Sequence, residues 1–433
     1  MTARTARTWR LVFQGDAYTF DVTHPGGGPT PDAEDWHFTK RMKEAAGGVT
    51  MRRIVTRLVV ALYLSLATAA TVLAQGDCGD DPWGGTWQPN WQHAYSGIDW
   101  ASACTTLLPS RPGVAGQRTQ RVHALRIDMT NGDVHFFTTP HGGTSDTIGQ
   151  VASLFACQYD VQAAINASFS EPCCTYEPPD HTPLDIAPNF VLWGLAVSDF
   201  KNVSPAALGR VPNRMWVGAA SMTIRAREGG GNRAQFQTTI AGQDVPKEVS
   251  AAIAGGPQPS HGNPTDTGPV VPVPGEMLLL KDGVNLACKE CDANPVETVA
   301  ARTAVGVSGG GGVYLYMVTI DGVDGGNASR GASFYDTAEW LRVLGAADGM
   351  NLDGGGSTTM VMQMPGATNP DHWVYQIVNN PTQGECTQRY VGNFLGVKAG
   401  LLDEPTLPAP YCSTVVKQTQ RVCSLPAARP RKH

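Results

Sequence analysis

Charged residues are scarce in this chain. Asp, Glu, Lys and Arg make up 16% of its 433 residues, and the 32 basic and 38 acidic side chains leave a net charge of −6. A nucleic-acid-binding surface needs a basic stripe or patch. The sequence offers none, and it contains no internal repeats, so we expect no nucleic-acid partner.

Glycine and proline are abundant, with 49 and 31 residues, whereas 42% of the chain is hydrophobic. That composition supplies a large core and predicts many turns and strands but few long helices. We predict an α+β fold: a single domain with a large twisted mixed β-sheet and a few helices, held together by disulfides.

Residues 51–74 read MRRIVTRLVVALYLSLATAATVLA: a basic start, an apolar middle and small residues at the end. This is the pattern of a secretory signal peptide, with cleavage after Ala74. The alternative is a transmembrane helix, but the apolar run is short and contains many Ala and Thr. We therefore expect a secreted or periplasmic protein with no membrane span after cleavage, whose start is Met51, and we interpret 1–50 as a mis-called extension.

All ten cysteines follow Ala74, and an even number in an exported chain predicts disulfides. They are Cys78, Cys104, Cys157, Cys173, Cys174, Cys288, Cys291, Cys386, Cys412 and Cys423. The CKEC run at 288–291 is an alternative zinc half-site, but the chain has no second CxxC and no His at a suitable spacing.

The exported part divides into three regions. Residues 75–119 are rich in Trp, Gly and Pro and are predicted to be an irregular lead-in. Residues 120–402 carry the strand-like patterns of the main domain, and 403–433 form a Pro-rich basic tail that Cys412 and Cys423 tie down. Residues 257–275, also Pro-rich, are predicted to be an exposed loop.

Alternating patterns predict two hairpins, one over 121–140 around an Asn-Gly turn and one over 302–322. Further strands are predicted in 161–170, 191–204, 214–226, 249–260, 372–380 and 389–400. The clearest helix begins after Ser333, which forms a capping box with Asp336, and stops at Gly345.

The stretch GMNLDGGGSTTMVM at 349–362 places glycines beside polar residues, between two strand-like runs. Gly354, Gly355 and Gly356 allow consecutive amides to converge on an anion, to which Ser357 and Thr358 add hydroxyl donors. The Asp353 carboxylate beside an anion site suggests proton transfer or a bound cation. A plain hairpin capped by Asp353 is the alternative. No Lys follows, so this is not a Walker loop.

With its surroundings, this stretch resembles the phosphodiester glycosidase family. NLDGGGSTTMV at 351–361 matches the family signature, and AEWLRVLGAADGM at 338–350 matches the helix before it. RTAVGV, AIAGGPQ, GLAVSDFKNVS, NNPTQGECTQR and VGNFLGV match shorter motifs in the right order. The sequence departs from the family after Asn166, where NASFS replaces Asn-Gly-Gly-Phe-Phe, and EPCCTYEPPDHTP at 171–183 reads as an insertion near the site mouth.

The resemblance implies an exported hydrolase that cleaves between a sugar's anomeric carbon and a phosphate, in a glycan or glycolipid carrying a sugar-1-phosphodiester. It implies a phosphate ligand, for which Arg302 is the first candidate and Arg389 the second. Asp353 is the candidate base or nucleophile, and Asn166 and Asn351 are candidates for sugar or phosphate contacts. Ser357 and Thr358 would bind phosphate or stiffen the loop. Each of these residues also has a structural alternative, such as an ion pair for Arg302 or loop capping for Asp353.

Two other functions fit the same loop. One is a metal-dependent phosphodiesterase that attacks phosphorus, and the other is a glycan-binding module without catalysis. Calcium could bind among carboxylates and backbone oxygens, but no run of ligands demands it.

Overall fold

The computed structural model divides the chain into two compact units, Met1–Gly76 and Asp77–His433. The residues it describes are 6–13, 16–23, 37–38, 78, 80, 82, 86–105, 119–143, 146–172, 174–176, 187–205, 210–211, 214–215, 218–240, 245–256, 278–287, 299–322, 331–364, 372–382, 386–402, 405–408 and 412–417. The predicted signal peptide, the loop at 257–275 and the CKEC run lie outside them.

The first unit contains one antiparallel sheet in the order β1-β2-β3. Its strands are β1 (Ala6–Phe13), β2 (Asp16–Thr23) and β3 (His37–Phe38).

The second unit contains the remaining strands. The first group is β4 (Gln92–Tyr95), β5 (Ile98–Thr105), β6 (Gln120–Asp128), β7 (His135–Thr138), β8 (Thr147–Ile148), β9 (Ala163–Asn166), β10 (Ser170–Glu171), β11 (Thr175–Tyr176), β12 (Asn189–Leu192), β13 (Ala196–Ser198), β14 (Lys201–Ser204), β15 (Arg210–Val211) and β16 (Arg214–Met215). The second group is β17 (Gly218–Ala226), β18 (Asn232–Ile240), β19 (Val249–Gly255), β20 (Leu280–Lys281), β21 (Val284–Asn285), β22 (Arg302–Ser308), β23 (Tyr314–Ile320), β24 (Ala346–Asn351), β25 (Met360–Gln363), β26 (His372–Ile377), β27 (Arg389–Tyr390), β28 (Phe394–Lys398) and β29 (Cys412–Lys417).

Most of these strands form three sheets. The eight-stranded sheet has the order β21-β20-β24-β22-β23-β6-β5-β4, the six-stranded sheet β29-β26-β25-β9-β28-β7, and the five-stranded sheet β14-β13-β19-β17-β18. Their ladders are antiparallel throughout the described residues. The prediction of one large mixed sheet was therefore wrong, because parallel pairing needs long crossovers and this chain joins its strands by turns and sheet-to-sheet crossings.

The main core lies between the eight-stranded and six-stranded sheets. Alternate residues of each strand face it, such as Val305 and Met317 from the first sheet and Ile165 and Met360 from the second. The five-stranded sheet contributes Ile253 and its neighbours to the same core. This alternation buries one face of the central strands against another sheet, and the apolar surface removed from water there stabilises the fold.

Two helices cover the outer faces of the two larger sheets. Helix α1 (Ala152–Tyr159) packs on the six-stranded sheet, where Phe155 contacts Phe394 with ring centroids 5.0 Å apart. Helix α2 (Phe334–Leu344) packs Trp340 and Leu341 on the eight-stranded sheet. The domain is thus layered as helix, sheet, sheet and helix, and strands dominate it.

Helix α2 begins as predicted. The Ser333 hydroxyl accepts a hydrogen bond from the Asp336 amide at 3.1 Å, and the Asp336 carboxylate accepts one from the Ser333 amide at 2.9 Å. Gly345 ends the helix in the left-handed conformation with φ +109°. The capping box and the stop signal are both confirmed.

The two predicted hairpins differ in outcome. β22 and β23 pair as a hairpin around a four-glycine turn at 309–312, which confirms the second. β6 and β7 lie in different sheets, so the first was wrong. Neither Asn131 nor Gly132 has a positive φ. The Asp128 carboxylate instead accepts the Thr130 amide at 2.8 Å and turns the chain toward the other sheet.

The lead-in and the tail are more regular than the sequence suggested. β4 and β5, within 75–119, form the edge of the eight-stranded sheet, and β29 adds an edge to the six-stranded sheet. Cys78 is bonded to Cys104, and Cys157, Cys174 and Cys386 are also in disulfides. None of the described helices is both long and apolar enough to cross a membrane.

The cap of helix α2 gives a stability prediction. Ser333→Ala removes the acceptor of the Asp336 amide, so we expect a loss of about 1 kcal/mol in the free energy of unfolding, measured by urea denaturation. Ser204→Ala is the control, since Ser204 is equally buried at a strand end but caps no helix. Equal losses in the two variants would contradict the capping role.

Candidate functional site

The glycine-rich stretch is the point where the chain crosses between the two larger sheets. β24 ends at Asn351 in the eight-stranded sheet, and β25 begins at Met360 in the six-stranded sheet. The two strands are not paired with each other, so the alternative of a plain hairpin was wrong. Asp353, Gly354, Gly355 and Gly356 are partly exposed, whereas the residues on either side are buried. The crossing loop therefore reaches the surface at one end of the sandwich.

The loop does not form the expected cup of three converging amides. The Gly354 amide bonds the Asp353 carboxylate, and the Gly355 amide donates to the Ala301 carbonyl at 2.8 Å. The Ser357 and Thr358 amides close a 3-10 turn onto Gly354 and Gly355. These contacts occupy those donors, and of the three glycine amides only that of Gly356 has no partner among the residues that the structure describes. An anion here must rely mainly on side chains.

Two of the glycines have close neighbours, a main-chain oxygen at Gly354 and the end of an arginine side chain at Gly356. A Cβ at Gly354 would lie 2.8 Å from the Ala301 carbonyl oxygen, and a Cβ at Gly356 would lie 2.1 Å from Nη2 of Arg389. Gly355 adopts φ +59° and faces open space. The glycines thus let an arginine and a neighbouring strand approach the loop backbone.

The carboxyl group of Asp353 has a strongly shifted pKa. Burial of its carboxyl group raises the pKa from 3.8 to about 6, although the residue as a whole is only half-buried. The Ser357 hydroxyl, the Arg389 charge and the Gly354 amide act in the opposite direction and keep the increase moderate. A carboxyl group of this kind changes its protonation near neutral pH, as a catalytic acid or base requires.

Arg389 is the cation beside this carboxyl group. Its Nη1 donates to the Ser357 Oγ at 3.1 Å, and its Nη2 donates to the Tyr176 hydroxyl at 2.6 Å. Its buried Nε has no hydrogen-bond partner among the described residues. One hydrogen on each Nη is also not used by these two bonds, and these hydrogens are the donors that an anionic ligand could use.

Asn166 holds the crossing loop in place. Its Nδ2 donates to the Asp353 carbonyl at 2.6 Å, while its Oδ1 accepts the Thr303 hydroxyl at 2.7 Å and the Thr359 amide at 3.1 Å. The side chain is 0% exposed. These contacts make Asn166 a brace between β9, β22 and the loop, at a position where it does not reach solvent.

Arg302 lies on the other face of its strand. Its Nε donates to the Ala332 carbonyl at 3.0 Å, and its guanidinium stacks over the Phe334 ring at 4.0 Å. Strand alternation explains this: Thr303 points to the site, so Arg302 points to helix α2. The residue predicted first for phosphate is 4% exposed and anchors the helix start.

Asn351 and Thr358 line the inner side of the loop. Asn351 Nδ2 donates to the Leu352 carbonyl at 2.6 Å, but its Oδ1 and the Thr358 Oγ1 are buried without partners among the described residues. Buried polar atoms are normally satisfied by water or a ligand. These two atoms mark a polar lining beneath the loop.

Two residues of this site were not predicted from the sequence. Thr303 stands beside Arg302 in RTAVGV, and the alternation of the strand was a usable signal for it. Tyr176 lies in the segment read as an insertion, 213 positions from Arg389, and no sequence pattern linked the two. Within the described part of the chain, no three His, Cys, Asp or Glu side chains come together as metal ligands. Calcium stays an untested prediction.

Comparisons with known proteins agree with the resemblance. Residues 223–398 match the family model described as phosphodiester glycosidase, which confirms the resemblance and includes the loop, Arg302 and Arg389. Over 78 residues the chain is 38% identical to mouse N-acetylglucosamine-1-phosphodiester alpha-N-acetylglucosaminidase, a match that spans 18% of this chain and only 14% of the mouse protein.

Two solved structures are similar at a lower level. The zebrafish catalytic domain of that enzyme, auto-inhibited by its pro-peptide, is 17% identical with a TM-score of 0.41, covering 72% of this chain and 89% of that one. A putative exported protein from Burkholderia pseudomallei is also 17% identical with a TM-score of 0.41, covering 67% and 76%.

The raised pKa of Asp353 predicts a pH-dependent stability. The folded state holds the Asp353 proton more tightly than the unfolded state, so the free energy of unfolding falls as pH rises from about 4 to about 6, on the order of 2–3 kcal/mol. Asp353→Asn removes this term. The melting temperature of the variant, relative to the unmodified protein, should therefore be higher at pH 7 than at pH 4. A difference that stays constant across this range would show that burial does not perturb the carboxyl group.

Proposed function

We propose that this protein is an exported hydrolase that cleaves sugar-1-phosphodiesters in a surface or secreted glycan or glycolipid. One observation carries the proposal: within the segment that matches the phosphodiester glycosidase family, an enclosed carboxyl group with a pKa of about 6 lies beside an arginine with unused donors, on a partly exposed loop. The pair offers proton transfer and phosphate binding at one point.

Arg389 binds the phosphate in this proposal. The Nη hydrogens that Ser357 and Tyr176 leave unused can donate to phosphate oxygens, and the Gly356 main chain lies against the same guanidinium. The departing phosphate gains negative charge as the glycosidic bond breaks, so fixed donors here stabilise the transition state more than the bound substrate.

Asp353 acts in its ionised form, as a base toward water or as a nucleophile toward the anomeric carbon. In the first case water oxygen bonds to the anomeric carbon, its proton passes to Asp353, and the carbon–oxygen bond to phosphate breaks. The products are a reducing sugar and a phosphomonoester. Because phosphate leaves as a stable anion, less help from a general acid is needed than in ordinary glycosides.

The other predicted residues receive supporting roles. Asn166 positions the Asp353 main chain, and Ser357 links Asp353 to Arg389. The Asn351 Oδ1 and Thr358 Oγ1, which are buried without partners among the described residues, support a contact with ordered water that stiffens the loop rather than with a sugar hydroxyl. The contacts of Arg302 support a role in holding helix α2 rather than phosphate.

Cleavage in ¹⁸O-labelled water tests the reaction. With a sugar-1-phosphoryl ester as substrate, we expect label on the sugar. Asp353→Asn should lower kcat by at least about 100-fold, and kcat/KM of the unmodified enzyme should rise with pH and level off above about pH 6. Label in the phosphate would support attack at phosphorus instead. Glycan binding without turnover, unchanged by Asp353→Asn, would support a binding module.

A pair of lysine substitutions tests which arginine meets phosphate. Arg389→Lys keeps the charge but loses the two-nitrogen fork, so kcat/KM should fall at least about tenfold. Arg302→Lys should change the melting temperature but leave kcat/KM of the folded protein within about threefold. The reverse ranking would return Arg302 to the phosphate.

A further inference from the structure

Tyr176 is brought to the site by a short strand pair. β11 (Thr175–Tyr176) pairs with β27 (Arg389–Tyr390), which places Tyr176 directly opposite Arg389. Cys174, two residues earlier, is in a disulfide. The segment that carries Tyr176 is therefore fixed at both the backbone and a nearby side chain.

The tyrosine contacts Arg389 in two ways. Its hydroxyl accepts a hydrogen bond from Nη2 at 2.6 Å, and its ring lies 5.1 Å from the guanidinium carbon. A hydrogen bond and a cation–π contact together restrict both the position and the tilt of the guanidinium plane.

Arg389 has one other side-chain anchor in the described site. Nη1 donates to the Ser357 Oγ, and the same hydroxyl lies beside the Asp353 carboxyl group and lowers its pKa. Tyr176, Arg389, Ser357 and Asp353 thus form a chain of neighbouring groups. Removing the hydroxyl at one end would leave Ser357 as the one side-chain hydrogen bond that holds the guanidinium in the described site, beside the contact with the ring.

We propose that Tyr176 is a positioning residue for the reaction: by holding Arg389 against Ser357, it sets the distance between the guanidinium charge and the Asp353 carboxyl group. Only the kinetic part of this inference, the effect on kcat/KM, rests on the proposed function. Tyr176 does not need to touch the reacting atoms in this role.

Several groups face the Asp353 carboxyl group and influence its pKa. From β27 comes the Arg389 guanidinium, and from the loop itself come the Ser357 hydroxyl and the Gly354 amide. β9 contributes the neutral Asn166 amide, while Arg302 on β22 points to Phe334. Since Arg389 lowers the pKa of Asp353, loosening Arg389 must raise it.

Tyr176→Phe keeps the ring and removes the hydroxyl. We expect the rising limb of the kcat/KM profile to move up by about half a pH unit, which is about a threefold loss of rate well below the pKa. Tyr176→Leu, which also removes the ring, should move the limb further. The control is Tyr314→Phe, because Tyr314 also packs on an arginine, with 4.9 Å from the Arg126 guanidinium carbon to its ring, but away from the loop.

A stability titration gives the same information without turnover. The melting-temperature difference caused by Asp353→Asn is measured against pH, once with Tyr176 intact and once in the Tyr176→Phe background. The pH at which this difference levels off should also move up by about half a pH unit, because that pH follows the folded-state pKa of Asp353. If no sugar-1-phosphodiester is hydrolysed, the proposed function fails, but the titration still decides the role of Tyr176. The inference is overturned if neither the limb nor the levelling-off pH moves in Tyr176→Phe while Arg389→Lys moves the levelling-off pH.

Discussion

The Asn166 carboxamide is the contact on which the site depends. It accepts from Thr303 of the eight-stranded sheet and from the Thr359 amide, and it donates to the Asp353 carbonyl, 187 positions away in the sequence. One buried amide therefore joins two sheets and the loop that crosses between them. An amide suits this task because it offers donors and acceptors together and carries no charge that burial would penalise. Its three bonds fix the backbone from which the Asp353 side chain projects.

The crossing loop also explains the raised pKa of the Asp353 carboxyl group. Asp353 is enclosed, which disfavours its charge, yet a hydroxyl, an amide and a guanidinium reach it. These opposing effects leave the carboxyl group poised near neutral pH rather than permanently protonated. A site that keeps a costly charge in this way gives up some stability of the fold for reactivity.

The two arginines illustrate how backbone geometry selects among similar side chains. Both belong to sequence motifs that resemble the same family, and both contact an aromatic ring. Arg302 is separated from the loop because Thr303, its neighbour on β22, occupies the face toward Asn166. Arg389 reaches the loop because Gly356 has no Cβ, which leaves room for its guanidinium. A methyl group at position 356 would force the guanidinium to move from this position.

The sequence by itself determined the local features. Apolar runs on either side of DGGGS fixed two strands and a loop, Ser333 and Asp336 fixed the start of a helix, and the order of motifs indicated the family. These depend on neighbours in the chain, and neighbours are visible in a sequence. The tertiary structure alone decided that the two strands join different sheets, that the loop amides are mostly consumed, and that Tyr176 meets Arg389. Those outcomes depend on which distant strands pair, because pairing selects the face and the register of each side chain.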